Sequence, residues 1–172
     1  APALAAARFA AALPASAAVG NLQAREQLAP EDKRALGRAG AALVLPGQVV
    51  ILDGGTTSLQ VVQHLPLDLR ATVVTHSPAV AVALAGHLQI EVLVLGGRLF
   101  RHSMVNVGAS VVEAAAQLRA DLSLLGVTAV HPEAALPTRA FVAPAVTPAL
   151  HQRAADTVVL ASIDKLGPPP PF

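Results

Sequence analysis

Three short polar runs hold the groups that could do chemistry in this chain: Asp53-Gly54-Gly55-Thr56-Thr57-Ser58, Thr75-His76-Ser77 and Gly96-Gly97-Arg98. In the first, two glycines let the backbone bend closely around a ligand, and three hydroxyl residues lead into the start of a predicted helix. Amide donors, hydroxyl donors and the positive end of a helix dipole then converge, which is the chemistry of anion recognition. The second run adds hydroxyls and an imidazole, and the third adds a guanidinium. Taken singly, each run is weak, since Gly-Gly after a strand is commonly just a turn and Thr-Thr is commonly a helix cap. No Gly-Lys-Ser/Thr follows the first run and no GxGxxG is present, so neither a Walker loop nor a dinucleotide fingerprint is encoded.

What raises these runs above turns is the element that precedes each. Val49 to Leu52 is a continuous apolar segment between a Pro46-Gly47 turn and the glycines, the pattern of a strand buried on both faces. Ala71 to Thr75 and Ile90 to Leu95 read as strands in the same way, as do Leu122 to Val127 and Thr157 to Ala161. Helices are predicted over residues 30–44, where Pro30 and two acids open an apolar periodicity, and over 56–65, 78–87, 110–118 and 147–155. Strand and helix alternate throughout, which predicts an α/β fold with a mostly parallel open sheet and helices on both faces. Ligands of such sheets sit at the carboxyl ends of the strands, where the three polar runs fall. His102 to Gly108, with Ser103 and Asn106, reads as a loop over that crevice.

Composition narrows the function. The 172 residues are 53% hydrophobic with a formal net charge of +1, which suits one domain with a generous core. The twelve Lys and Arg are scattered, so no face is built to grip nucleic acid. Cysteine is absent, which rules out disulfides and thiolate metal sites. No apolar run reaches the roughly 18–20 residues of a membrane span, and a cytoplasmic location is expected. Ala1 to Gly20 is Ala-rich but has no basic n-region, so residues 1–29 read as a linker or docking helix, 30–167 as the α/β domain, and 168–172 as a Pro-rich tail. None of the six histidines, at positions 64, 76, 87, 102, 131 and 151, pairs with another at helical ligand spacing, so no metal and no cofactor is expected.

The ordered set KRALGRAGAALVLPGQVVILDGGTTSLQVVQHLP, TVVTHSPAVAVALA, IEVLVLGGRL, VNVGASVVEAAAQLRADLSLLGV and VVLASIDKLG resembles the C-terminal sensor domain of DeoR-family repressors, from about Glu31 to Gly167. The resemblance implies a fold similar to ribose-5-phosphate isomerase and the CoA-transferase superfamily, with phosphorylated sugars bound at the strand ends. The family's Asp-x-Gly-Thr-Thr element falls on Asp53, Gly55, Thr56 and Thr57, and its Thr-Asn-Ser element on Thr75, His76 and Ser77, with His in place of Asn. Its Gly-Gly pair falls on Gly96 and Gly97, and the Lys of its Ser-Lys-Phe element on Lys165, flanked here by Asp164 and Leu166. Two departures stand out. Gly126-Val127-Thr128-Ala129 lacks the carboxylate of the usual Gly-Ala-Asp-Gly, and Pro132 to Pro148 is Pro-rich and apolar where acidic residues are usual.

The sequence thus predicts a non-catalytic sensor. Its expected effector is a phosphorylated sugar held by Asp53, Gly54, Gly55, Thr56, Thr57, Ser58, Thr75, His76, Ser77, Gly96, Gly97, Arg98 and Lys165. DNA would be reached only through a helix-turn-helix domain expected to precede Ala1, and a homo-oligomer is expected because a paired operator needs two heads. The rivals are a sugar-phosphate isomerase of the same fold, with Asp53 as the remaining candidate base, and an interaction module that binds no small molecule.

Overall fold

The computed structural model describes residues 21–127 and 145–161. Five strands form one parallel sheet: β1 (Val49–Leu52), β2 (Ala71–Thr75), β3 (Ile90–Val94), β6 (Ala120–Gly126) and β7 (Ala154–Leu160), in the order β3-β2-β1-β6-β7. Between β3 and β6 an antiparallel hairpin, β4 (Arg98–Phe100) and β5 (Val105–Val107), stands apart as a second small sheet. The helices are α1 (Leu22–Glu26), α2 (Pro30–Ala41), α3 (Thr56–His64), α4 (Pro78–Ala83), α5 (Ala109–Ala116) and α6 (Val146–His151).

The continuous apolar runs form strands because both faces of the sheet are covered. Val50, Leu52, Val73, Leu122 and Leu124 pack with Val61 and Val62 of α3, Val80 of α4 and Ala41 of α2. On the opposite face Ile51 and Val74 pack with Val111 and Ala115 of α5 and with Val146 and Leu150 of α6. Each such buried side chain contributes about 1.5–3 kcal/mol, so the alternation of faces fixes the register of the central strands. From β1 the chain winds out through β2 and β3 and then returns to the other side of β1 to lay down β6 and β7. The strand order therefore reverses between β1 and β6, and the carboxyl ends of those two strands bound the crevice in which open α/β sheets hold ligands.

Several boundaries differ from expectation. His102 to Gly108 was expected to be a loop, yet Val105–Val107 pairs with Arg98–Phe100 as a hairpin, with Leu99 opposite Asn106, and Val105 and Val107 are buried. The helix predicted over 78–87 ends at Ala83 and tightens into a 3-10 turn over Leu84–Gly86. The helix predicted over 147–155 stops at His151, since Ala154 is drawn into β7 opposite Ala120. Local propensity favours helix at Ala154 and Ala155, but strand pairing outweighs those few tenths of a kcal/mol per residue. Residues 22–26, read as part of a linker or docking helix, form a helix that buries Leu22 and hydrogen-bonds to the His102 carbonyl through the Leu22 amide. No helix is long and apolar enough to cross a membrane among the described residues.

Candidate ligand-binding site

β1 delivers Asp53 to the centre of the carboxyl edge, and the turn that follows is shaped by glycine. Gly55 has a φ of 131°, a region that L side chains rarely adopt, and it caps α3. Gly54 is needed for closeness: a Cβ there would lie 2.3 Å from Val105 Cγ1 and 3.2 Å from Ser77 Cβ. This bend sets Thr56, Thr57 and Ser58 in the first turn of α3, all three buried at the mouth of the sheet. The Ser58 Oγ has no hydrogen-bond partner among the described residues.

Asp53 and His76, twenty-three residues apart in sequence, meet at 2.7 Å between Oδ1 and Nε2, with Gly54 N donating to the same carboxylate oxygen at 2.8 Å. The other ring nitrogen of His76 lies 3.0 Å from the Asn106 carbonyl oxygen. Both ring nitrogens thus face acceptors, and the imidazolium is the form that can donate to both. Asn106, on β5, closes the arrangement. Its amide donates to the His76 carbonyl at 2.7 Å, and its side-chain Nδ2 donates to the Leu95 carbonyl at 2.9 Å.

The expected site residues fall into two groups. Asp53, Gly54, His76 and Ser77 are in direct contact, with the α3 hydroxyls one turn away. Thr75 and Ser77 are occupied in holding the loop: Thr75 Oγ1 accepts from Ser77 N at 3.1 Å, and Ser77 Oγ donates to the Met104 carbonyl at 3.0 Å while capping α4. Gly96 and Gly97 are exposed, and Gly97 allows the Val107 carbonyl to come within 2.8 Å of where its Cβ would be. Arg98 is exposed on β4. Lys165, the missing carboxylate position at Thr128, and residues 132–144 lie outside the described residues.

Two contributors were not among the expected site residues. Asn106 had been noted only as part of a loop, and nothing in its local sequence says that it ties β5 to the loop after β2. His151, the last residue of α6, contacts Ser123 of β6 through Nδ1. Burial lowers the pKa of His151, while the Asp53 carboxylate raises it and His76 lowers it further, so the three groups share one electrostatic neighbourhood. Among the described residues no group of three or more His, Cys, Asp or Glu side chains is placed to hold a metal ion.

Residues 28–172 match the family model described as the DeoR C terminal sensor domain. The chain belongs to the DeoR sensor-domain family. The HTH-type transcriptional regulator GlpR of Haloferax volcanii is 32% identical over 137 residues, covering 80% of this chain and 53% of that protein. The HTH-type transcriptional repressor GlcR of Bacillus subtilis is 32% identical over 145 residues, covering 80% of this chain and 52% of that repressor. This DeoR-type domain spans about half the length of these curated relatives. Among solved structures, ribose 5-phosphate isomerase A of Methanocaldococcus jannaschii superposes with a TM-score of 0.59 at 16% identity, over 80% of this chain and 55% of the isomerase. The eIF2B delta chain of Chaetomium thermophilum superposes with a TM-score of 0.58 at 16% identity, over 82% of this chain and 50% of its own. At such identities the likeness establishes the shared fold, the one expected from the sequence.

Proposed function

We propose that this DeoR-type domain is a non-catalytic receptor for a phosphorylated sugar, bound at the carboxyl ends of β1 and β2. The observation that carries the reading is the buried Asp53–His76 pair set against the α3 N-terminus. Three hydroxyl residues and the first amides of α3 favour a phosphate, and a carboxylate fixed by His76 and the Gly54 amide is a suitable acceptor for sugar hydroxyls. Two isomerases that share the fold act on ribose 5-phosphate, and one of them was solved in complex with phospho-erythronic acid, so a phosphosugar suits this architecture. Gly96, Gly97, Arg98 and Lys165 are the remaining proposed contributors.

In the whole protein, the effector would act on DNA through a helix-turn-helix domain, as the names of the relatives suggest, and through a homo-oligomer that sets two such domains apart. The ligand must bind one arrangement of the oligomer better than the other, because equal affinity would shift nothing. Thermal-shift screening tests the receptor reading with ribose 5-phosphate, glucose 6-phosphate, fructose 6-phosphate, inorganic phosphate and unphosphorylated ribose. A phosphosugar at about a hundred times its Kd stabilises the native state by about 2.7 kcal/mol, and Asp53→Asn should abolish that gain. No stabilisation by any phosphosugar would defeat the proposal, as would conversion of ribose 5-phosphate to its ketose.

A further inference from the structure

Beneath the crevice lies a polar pair that this reading leaves unused. Ser123 is fully buried in β6, and its hydroxyl meets Nδ1 of His151. The His151 Nε2 is shielded from solvent and has no hydrogen-bond partner among the described residues. A serine inside a buried parallel strand and a histidine ending a largely apolar helix are costly choices for packing alone, since a buried polar atom left unmet loses its hydration without return.

Their placement points to the ligand. Ser123 is in register with Ile51, and Ile51 packs with Leu150, the residue before His151. Asp53 lies two residues beyond Ile51, hence on the same face of the sheet and about 7 Å nearer the carboxyl edge. Burial opposes the charged form of His151, the Asp53 carboxylate favours it and His76 opposes it. The other ionisable groups on the surrounding elements, Glu113 of α5, Asp121 of β6, Asp156 of β7 and Arg153 just after α6, are exposed to solvent. His151 therefore stands below the Asp53–His76 pair with one ring nitrogen held and the other without a partner among the described residues.

We infer that His151 is an additional ligand-binding residue of the effector crevice, giving its Nε2–H to an oxygen of the bound phosphosugar while Ser123 holds the ring, and taking up a proton from solvent as the anion docks. The inference rests on the phosphosugar reading of the crevice. In the free domain burial keeps the imidazole neutral. A phosphate beside Nε2 favours the imidazolium, whose Nδ1–H then donates to Ser123 Oγ and whose Nε2–H donates to the phosphate. A group that gains proton affinity in the complex makes binding tighter as pH falls through the interval between its free and bound pKa values.

The test is titration calorimetry with whichever phosphosugar of the panel stabilises the wild-type domain. Each titration is run at pH 7 in two buffers of different ionisation enthalpy, which counts protons taken up. Replacing the pair, His151→Leu with Ser123→Ala, should weaken binding about tenfold, as loss of a charge-assisted hydrogen bond implies. It should lower the proton count and at the same time raise the melting temperature of the free domain by about 2–4 °C, because the unmet polar atoms are gone. His151→Gln, which can donate but not titrate, should keep part of the affinity while losing the same protons, and it decides the matter if the double variant does not fold. Wild-type affinity and proton count in these variants would overturn the inference and leave the receptor reading intact. Wild-type protein that binds none of the phosphosugars would overturn both.

Discussion

Replacing Gly54 with alanine puts the geometry of the crevice to a quantitative trial. The new Cβ would lie 2.3 Å from Val105 Cγ1, whereas carbon atoms in contact settle at about 3.5–4.0 Å, so one side must retreat by about 1.2–1.7 Å. Val105 is 4% exposed and cannot turn outward. The hairpin that carries it is tied to the β2 loop by Asn106 N to the His76 carbonyl, by His76 Nδ1 to the Asn106 carbonyl, and by Ser77 Oγ to the Met104 carbonyl. Overpacking at such a point costs about 1–3 kcal/mol, with each strained hydrogen bond contributing about 1 kcal/mol. Val105→Ala alone removes two methyl groups, a loss of about 1.6 kcal/mol before any cavity term. If the contact is as described, Val105→Ala makes room for the alanine. The double variant should then be less destabilised than the sum of the singles by about 1–2 kcal/mol. Urea unfolding followed by far-UV circular dichroism measures all four proteins, a choice forced by a chain without Trp or Tyr. Additivity within about 0.5 kcal/mol would refute the reasoning, since it would mean that Gly54 and Val105 do not touch.

Other perturbations probe the remaining parts. His151 is neutral when folded and has its pKa lowered from an ordinary value of 6.5, so the unfolded chain binds a proton that the folded chain resists. Stability should therefore fall as pH drops below about 6.5 and level off once pH passes the lowered folded value, and unfolding of His151→Leu across that range should lack this component. Asn106→Ala orphans the Leu95 carbonyl and should cost about 1–3 kcal/mol, with faster hydrogen exchange at the backbone amides of the hairpin; unchanged exchange would deny Asn106 its tying role. Leu124→Ala, at the centre of the α3 face, should cost about 2–5 kcal/mol in the same urea assay, and a loss below 1 kcal/mol would contradict its packing.

The primary sequence by itself determined the layered α/β architecture, because strands such as Val49–Leu52 and Ala71–Thr75 are short apolar runs flanked by turn residues, and each is followed by a segment with helical spacing. It also placed the Asp53 turn and the His76 loop at the carboxyl ends of neighbouring strands, since each polar run directly follows an apolar one. Only tertiary structure decided that these two loops meet in a 2.7 Å contact, that residues 98–107 form a hairpin over them, and that Ala154 joins a strand. Partners such as Asn106 and the Leu95 carbonyl, or Ser123 and His151, are separated by 11 and 28 residues, and no local pattern of propensity or periodicity encodes which of many distant polar groups will be buried together. That choice follows from the packing of both sheet faces, where burial of apolar side chains sets the register and polar groups take the partners the register brings.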